Sequence, residues 1–384
     1  MERSAVKNSI PTRHHFDFPL FAAILVICVF GLVMLYSASY YYAENKFGSG
    51  TYFLKRQLIF FGIGLGAMLA LSYFNFKNLQ KLTWIGYAVV GALLLATALF
   101  GVKVNGARRW INIAGFQFQP SELAKITIVI VLSTVMCYKR VHMQSLIQGI
   151  GWCILVLVPY VILILMQPNF SLVIILALIT YVMFYLGGTR LSHRFLLLVT
   201  GLILGGIAIA LVGYRSVRIR AWIDPYSDPN GAGYQIIQSR IALGNGGFLG
   251  QGLNFSKQKL LFLPERENDY ILAIIGEELG FVGCFLLLAA YFFVIYRGIL
   301  IAMRCRDRFG RLLAGGITSV IGIQVLLNVC VVTNATPSTG QTLPFVSYGG
   351  TSLIVFMAAI GILLNISRYT GEDFGTEETE KANE

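Results

Sequence analysis

Long apolar runs joined by short polar links set the plan of this chain. A membrane-spanning helix needs about 20 predominantly apolar residues. Such runs fall at 18–40, 57–73, 82–100, 122–138, 146–166, 169–187, 194–214, 269–296, 312–334 and 345–366. They predict an all-α polytopic membrane protein with ten transmembrane helices. Gln167-Pro168-Asn169 splits the fifth and sixth runs as a tight hairpin, because Pro168 ends the helix before it. One long polar segment, 215–268, lies between the seventh and eighth spans. A tail at 1–17 and an acidic, polar tail at 369–384 flank a single membrane domain at 18–368.

Composition agrees with the pattern. Hydrophobic residues make up 56% and charged residues 12%, against about 25% charged in soluble domains. The first run is too long for a signal peptide and lacks its cleavage site. The net charge is +12. With no basic soluble domain to hold it, nucleic acid is not expected as a partner. Anionic lipid head groups or an anionic lipid-linked substrate fit better. The 6 cysteines show no CxxC spacing. They predict neither a disulfide framework nor a metal site.

Loop charge sets the orientation. A cytoplasmic N-terminus places Lys139, Arg140, Arg190 and Arg194 inside, together with the short arginine-rich link of Arg297, Arg304, Arg306, Arg308 and Arg311. Ten spans then leave both termini cytoplasmic and the 215–268 segment extracytoplasmic. The outer segments 103–125 and 215–266 nevertheless stay basic. They read either as solvated loops touching lipid phosphates or as a cradle for an anionic substrate.

In this orientation the 4 histidines are all inside and no cysteine lies in an outer loop. A histidine triad, a cysteine nucleophile and a His/Cys zinc site are thereby removed from the outer face. General base work there falls to carboxylates. Leu263-Pro264-Glu265-Arg266-Glu267-Asn268-Asp269-Tyr270 crowds three acids and an arginine at the mouth of the eighth span. Asp269 reads as an N-cap of that helix or as a base whose pKa is raised at the membrane edge. Glu277 and Glu278, deeper in the same span, read as a polar contact between helices or as functional groups.

The second cluster is Arg108-Arg109-Trp110-Ile111-Asn112 with Gln119-Pro120-Ser121-Glu122-Leu123-Ala124-Lys125. Trp110 suits an interface. Lys125 can pair with Glu122 at i,i+3 or face a substrate phosphate. Gly244-Asn245-Gly246-Gly247-Phe248-Leu249-Gly250 has no strand before it, which excludes a dinucleotide site. Its glycines predict a re-entrant backbone that turns sharply beside the membrane. Asp224 and Asp228 belong to turn chemistry. A divalent cation there is the one cofactor left open.

Taken together these motifs resemble the SEDS family of peptidoglycan polymerases, typified by FtsW, RodA and SpoVE. The matching stretches run in order: Leu35-Tyr36-Ser37-Ala38-Ser39, Gly106-Ala107-Arg108-Arg109-Trp110-Ile111, Gln119 through Lys125, Asp224-Pro225-Tyr226 through Gln235, Leu263-Pro264-Glu265 through Asp269, Gly276-Glu277-Glu278-Leu279-Gly280, and Pro344-Phe345-Val346-Ser347-Tyr348-Gly349-Gly350-Thr351-Ser352. Val332-Thr333-Asn334 and Thr336-Pro337-Ser338-Thr339-Gly340 look closer to the FtsW and SpoVE branch. One departure is Asn169, where the family usually carries Asp.

The resemblance implies polymerisation of lipid II outside the bacterial cytoplasmic membrane during septal wall synthesis. It implies an inverting transfer, with Asp269 as the base and undecaprenyl diphosphate as the leaving group. Arg109, Trp110, Lys125 and Glu265 would contact substrate. Arg218 and Arg220 join them on charge and position alone. The implied partners are a class B penicillin-binding protein transpeptidase and other divisome membrane proteins. The rival expectations are a lipid II flippase, which Glu277 and Glu278 would suit, and a polymerase specific to elongation or sporulation.

Overall fold

The computed structural model describes residues 16–104, 107–113, 116–138, 141–211 and 213–370. Each of the ten expected spans contains a helix. The helices are α1 (Phe18–Phe47), α2 (Tyr52–Tyr73), α3 (Phe76–Phe100), α4 (Pro120–Cys137), α5 (Trp152–Leu165), α6 (Phe170–Leu186), α7 (Leu191–Leu211), α8 (Gly213–Ile223), α9 (Tyr234–Gly246), α10 (Ile271–Arg304), α11 (Arg308–Val332) and α12 (Gly350–Ser367). A π-helical turn, Leu146–Gly151, leads into α5. Among the described residues, 8 helical stretches are long and apolar enough to cross a membrane. Shorter apolar helices cover Phe170–Leu186 and Leu191–Ile207.

The helices begin where the sequence provides caps. Asp17 Oδ1 accepts from Leu20 N at 3.0 Å, Asn75 from Lys77 N at 3.0 Å and Asp307 from Gly310 N at 2.8 Å. Asn169 Oδ1 accepts from Leu172 N at 3.4 Å, so the amide caps α6 without a charge. α4 and α12 are buried along most of their length, whereas α2 and α3 are mostly exposed. The core therefore lies around α4, α11 and α12. Large apolar side chains on the outside, such as Phe285 and Phe292 of α10, suit contact with lipid rather than water.

The first and last helices meet at one surface. Asp17 N donates to Ser367 Oγ at 3.0 Å, and Arg297 of α10 bridges to Asp17 Oδ2 at 2.5 Å. The start of α1, the end of α12 and the later part of α10 thus share one end of the bundle. Asp269 precedes α10 and lies at the other end.

Three features correct the expected all-α plan. The outer segment 102–118 is an antiparallel sheet in the order β1 (Val102–Val104), β2 (Ala107–Ile113), β3 (Phe116–Phe118). Its β-branched positions, Val102, Val104, Ile111 and Ile113, favour a pleated surface. The segment 215–268 is not a simple polar loop. It contains most of α8, a 3₁₀ turn at Pro225–Ser227, and α9. Finally, α10 is not one continuous helix, because it breaks at Gly280 (φ 66°, ψ −162°).

The break explains the glycines of 244–250. Breaking a helix frees amides and carbonyls, which need partners when shielded from water. The chain after α9 supplies them. Gln251 N and Gly252 N donate to the carbonyls of Glu277 and Glu278, both at 2.9 Å. Phe281 N and Val282 N donate to Gly247 O at 3.0 Å and Phe248 O at 3.2 Å. A Cβ at Gly250 would stand 2.2 Å from Glu278 O, and one at Gly280 would stand 2.3 Å from Gly250 N. Only glycines permit this approach.

Candidate active site

The 263–270 loop is held rigidly. Leu263 and Tyr270 are fully buried. Arg266 donates to Leu263 O at 2.9 Å and covers the Tyr42 ring at 4.9 Å. The stretch after α11 staples the other side. Ser347 Oγ donates to Asn268 O at 2.6 Å, and Tyr348 N donates to Glu267 O at 2.8 Å. Asn328 of α11 donates to both Asp269 O and Gln341 O at 2.9 Å.

This packing leaves the Asp269 side chain out of the capping role. The N-cap position of α10 falls on Tyr270, and no side chain caps it. The carboxylate oxygens of Asp269 take none of the hydrogen bonds found among the described residues. The half-buried group has lost much of its water without gaining donors in exchange. Burial pushes its pKa up from the usual 3.8 to about 7. The nearby Glu265 adds to the rise, the Arg218 guanidinium opposes it, and Glu267 adds again. Burial also raises the Glu267 carboxyl. A carboxylate near neutrality is suited to accept a proton and pass it on.

Gly340 lies beside Asp269. A Cβ at Gly340 would lie 3.5 Å from Asp269 Oδ2, and Gly340 has φ 67°. Glycine keeps a turn there that other residues resist. Across from it, Arg218 of α8 donates to Ser338 O at 3.0 Å. Trp222 Nε1 fixes the same helix to Asn334 O at 3.0 Å. Arg220 is exposed on α8. Glu265 is exposed at φ 51° and accepts from Asn268 Nδ2 at 2.6 Å. The charges of Glu265 and Arg218 both bear on the Asp269 carboxyl.

The second cluster stands apart. Arg109 and Trp110 lie on β2. Arg109 donates to Gln167 O at 3.4 Å and to Pro168 O, so its recorded contacts are with the α5–α6 hairpin. Lys125 is fully buried. Its Nζ donates to Glu122 Oε2 at 2.8 Å and to Gln324 Oε1 at 2.6 Å, and lies 5.1 Å from the Phe356 ring centre. Gln324 Nε2 in turn donates to Thr342 O at 3.0 Å. Gln324 and Asn328 lie one helical turn apart on α11. They tie Lys125 and Asp269 to a single stretch of backbone at 341–342. Sequence reasoning missed both amides, although polar side chains spaced by four in an apolar span are a legible signal.

The intramembrane acids hold a loop. Glu277 accepts from Ser256 Oγ, from Lys257 N at 3.3 Å and from Gln258 N at 3.2 Å. Glu278 accepts from Ser37 Oγ at 2.7 Å and from Lys259 Nζ at 2.8 Å. Asp224 and Asp228 accept from Tyr226 N at 3.2 Å and Ala232 N at 2.9 Å, as turn residues do. Among the described residues, no group of three or more His, Cys, Asp or Glu side chains is disposed to hold a metal ion.

A desolvated carboxylate at the end of a membrane bundle, in the field of an arginine anchored by a backbone carbonyl, has the elements that group transfer requires. Comparison with known proteins gives the class a family. The FtsW/RodA/SpoVE model, described as cell cycle protein, matches residues 18–372. A probable peptidoglycan glycosyltransferase FtsW from Trichlorobacter lovleyi is 41% identical over 363 residues, 92% of this chain and 93% of that one. Stage V sporulation protein E of Bacillus subtilis is 38% identical, over 92% of this chain and 97% of that one. Among solved structures, one titled for the coordination of polymerization and crosslinking by a peptidoglycan synthase complex superposes with TM-score 0.77 at 29% identity, over 93% of this chain and 99% of that one. Rod shape determining protein RodA of Thermus thermophilus follows at 0.69 and 26%, over 94% of this chain and 100% of that one. The chain belongs to the FtsW/RodA/SpoVE family.

Proposed function

We infer that Asp269 is the general base of a peptidoglycan glycosyltransferase acting in cell division. The observation that carries this reading is the Asp269 carboxyl itself: without a hydrogen-bond donor among the described residues, beside Gly340, and raised by burial to a pKa of about 7. A sugar hydroxyl of the acceptor gives its proton to Asp269 as its oxygen attacks the anomeric carbon of the donor. The bond from that carbon to the diphosphate oxygen breaks, and undecaprenyl diphosphate leaves with the electron pair. The configuration inverts. Lipid II supplies the donor sugars.

Fixed cations lower the cost of the charge that develops on the leaving diphosphate. Arg218 is the best placed, since Ser338 already anchors it beside Asp269. Arg220, two residues on and therefore on the opposite side of α8 from Arg218, is exposed and offers a more distant charge. Glu265 tunes the base through its field. Arg109 and Trp110 offer a more distant contact for the lipid-linked substrate. Lys125 serves the phosphates only if it leaves Glu122 and Gln324.

The reading includes ten spans in the bacterial cytoplasmic membrane, with both termini inside and Asp269 outside. The shared end of α1 and α12 supports an even number of crossings. A class B penicillin-binding protein transpeptidase is the partner, with other divisome proteins around it. The flippase alternative loses its main support, because Glu277 and Glu278 are engaged by internal partners.

The test is polymerisation of labelled lipid II by the purified protein with its transpeptidase. Asp269→Asn should abolish chain growth while expression and partner binding persist. Normal polymerisation by that variant would remove Asp269 from the mechanism. Lipid scrambling in vesicles without polymer would favour transport.

A further inference from the structure

We propose that Lys259, with Glu278 and Ser37, is a positioning lock that sets Asp269 through the short helical segment 271–279. The proposal rests on Asp269 as the base. The break at Gly280 uncouples this segment from the rest of α10. A continuous helix would fix the direction of its first turn through its own hydrogen bonds. Here the direction of 271–279 depends on what grips its far end, the backbone bonds from Gln251 and Gly252 and the side chains that hold Glu278.

Those grips are specific. Lys259 Nζ donates to Glu278 Oε1 at 2.8 Å, to Ser37 Oγ at 3.0 Å and to Asn254 Oδ1 at 2.6 Å. Ser37 Oγ reaches Glu278 Oε1 and Oε2 at 2.7 and 2.8 Å. Lys259 and Glu278 are 1% and 0% exposed, so the pair is sealed from water. Ser37 belongs to α1, which spans the bundle. The lock therefore refers the catalytic segment to a helix that does not carry the reacting groups. A cation at the end of 271–279 also complements the negative end of its dipole. At the head of the same segment, Asn328 holds only the backbone of Asp269. A tilt about that point would swing the carboxylate. Misplacement by about 1 Å can cost about 100-fold in rate.

The experiment is steady-state polymerisation of lipid II by the full chain in complex with its transpeptidase. Wild type, Lys259→Gln, Lys259→Arg, Ser37→Ala and Asp269→Asn are compared. Lys259→Gln should lower kcat by about 100-fold and leave KM within about twofold. Lys259→Arg keeps the charge and should recover at least about tenfold of that loss. An unchanged kcat in Lys259→Gln, or a loss confined to KM, overturns the proposal. If Lys259→Gln does not fold, Ser37→Ala decides, because it removes one hydroxyl and leaves the ion pair. A fall in kcat of about threefold or more, at unchanged KM, supports the lock. Wild-type kcat in folded Ser37→Ala overturns it. The Asp269→Asn control separates the two claims. Polymerisation by that variant overturns the base assignment, and the lock with it. An inactive Asp269→Asn beside a fully active Lys259→Gln overturns the lock alone.

Discussion

Asp269 and Glu278 sit at opposite ends of one short helical segment, and their surroundings differ in kind. Glu278 is sealed from water and saturated by Lys259 and Ser37. Asp269 is desolvated but receives no donor from the described residues in return, and its pKa rises to about 7. Burial alone therefore does not identify a functional acid. A buried carboxylate that is fully bonded keeps the fold in place. One that is partly buried and unbonded holds reactivity in reserve.

The sharpest way to break the comparison is to neutralise each end. Asp269→Asn should lower polymerisation by about 100- to 10,000-fold, the range for loss of a general base. Its thermal stability should not fall. The sign is set by the raised pKa: the folded state holds the proton more tightly than the unfolded chain, whose carboxyl titrates near 3.9. That stabilisation is complete below the unfolded value and is lost as pH rises through about 7. Thermal melts at pH 5 and 8 should thus show a stability loss in wild type that Asp269→Asn lacks.

Glu278→Ala should act in the opposite sense. It strands Lys259 in a dry site, at a cost of about 3–5 kcal/mol, read as a fall in melting temperature at every pH. A smaller effect is expected at Arg218→Ala. Without the guanidinium the Asp269 pKa rises further, so the acid side of the pH–rate profile moves to higher pH. The smallest belongs to Asn169→Asp. Both residues cap helices about equally well, so stability should change by no more than about 0.5 kcal/mol in a melt.

Much of this was legible in the residues. Ten apolar runs foretold the positions of the helices, because a lipid environment demands length and hydrophobicity in a simple pattern. The crowded acids before the eighth span marked the stretch in which the structure desolvates Asp269. The sequence did not reveal the break in α10. A glycine inside an apolar run is compatible with a straight helix, and the segment that pairs with the break lies in 247–252. Lys259 looked like one more cation on a basic outer loop. Its burial against Glu278 depends on the same re-entrant chain. The strands at 102–118 were too short to register against helical neighbours. The choice of Asp269 over Glu265 and Glu267 came from the resemblance; the structure adds that burial raises the Asp269 carboxyl to about 7.

The most direct measurement is kcat/KM for lipid II polymerisation by the wild-type complex from about pH 5 to pH 9, since that profile reports the ionisation of the free enzyme's base. The expected result is activity that rises with pH to a plateau with its midpoint near 7, where Asp269 titrates. A profile flat across the range, or one whose midpoint lies near the ordinary carboxylate value, would contradict Asp269 as a desolvated base.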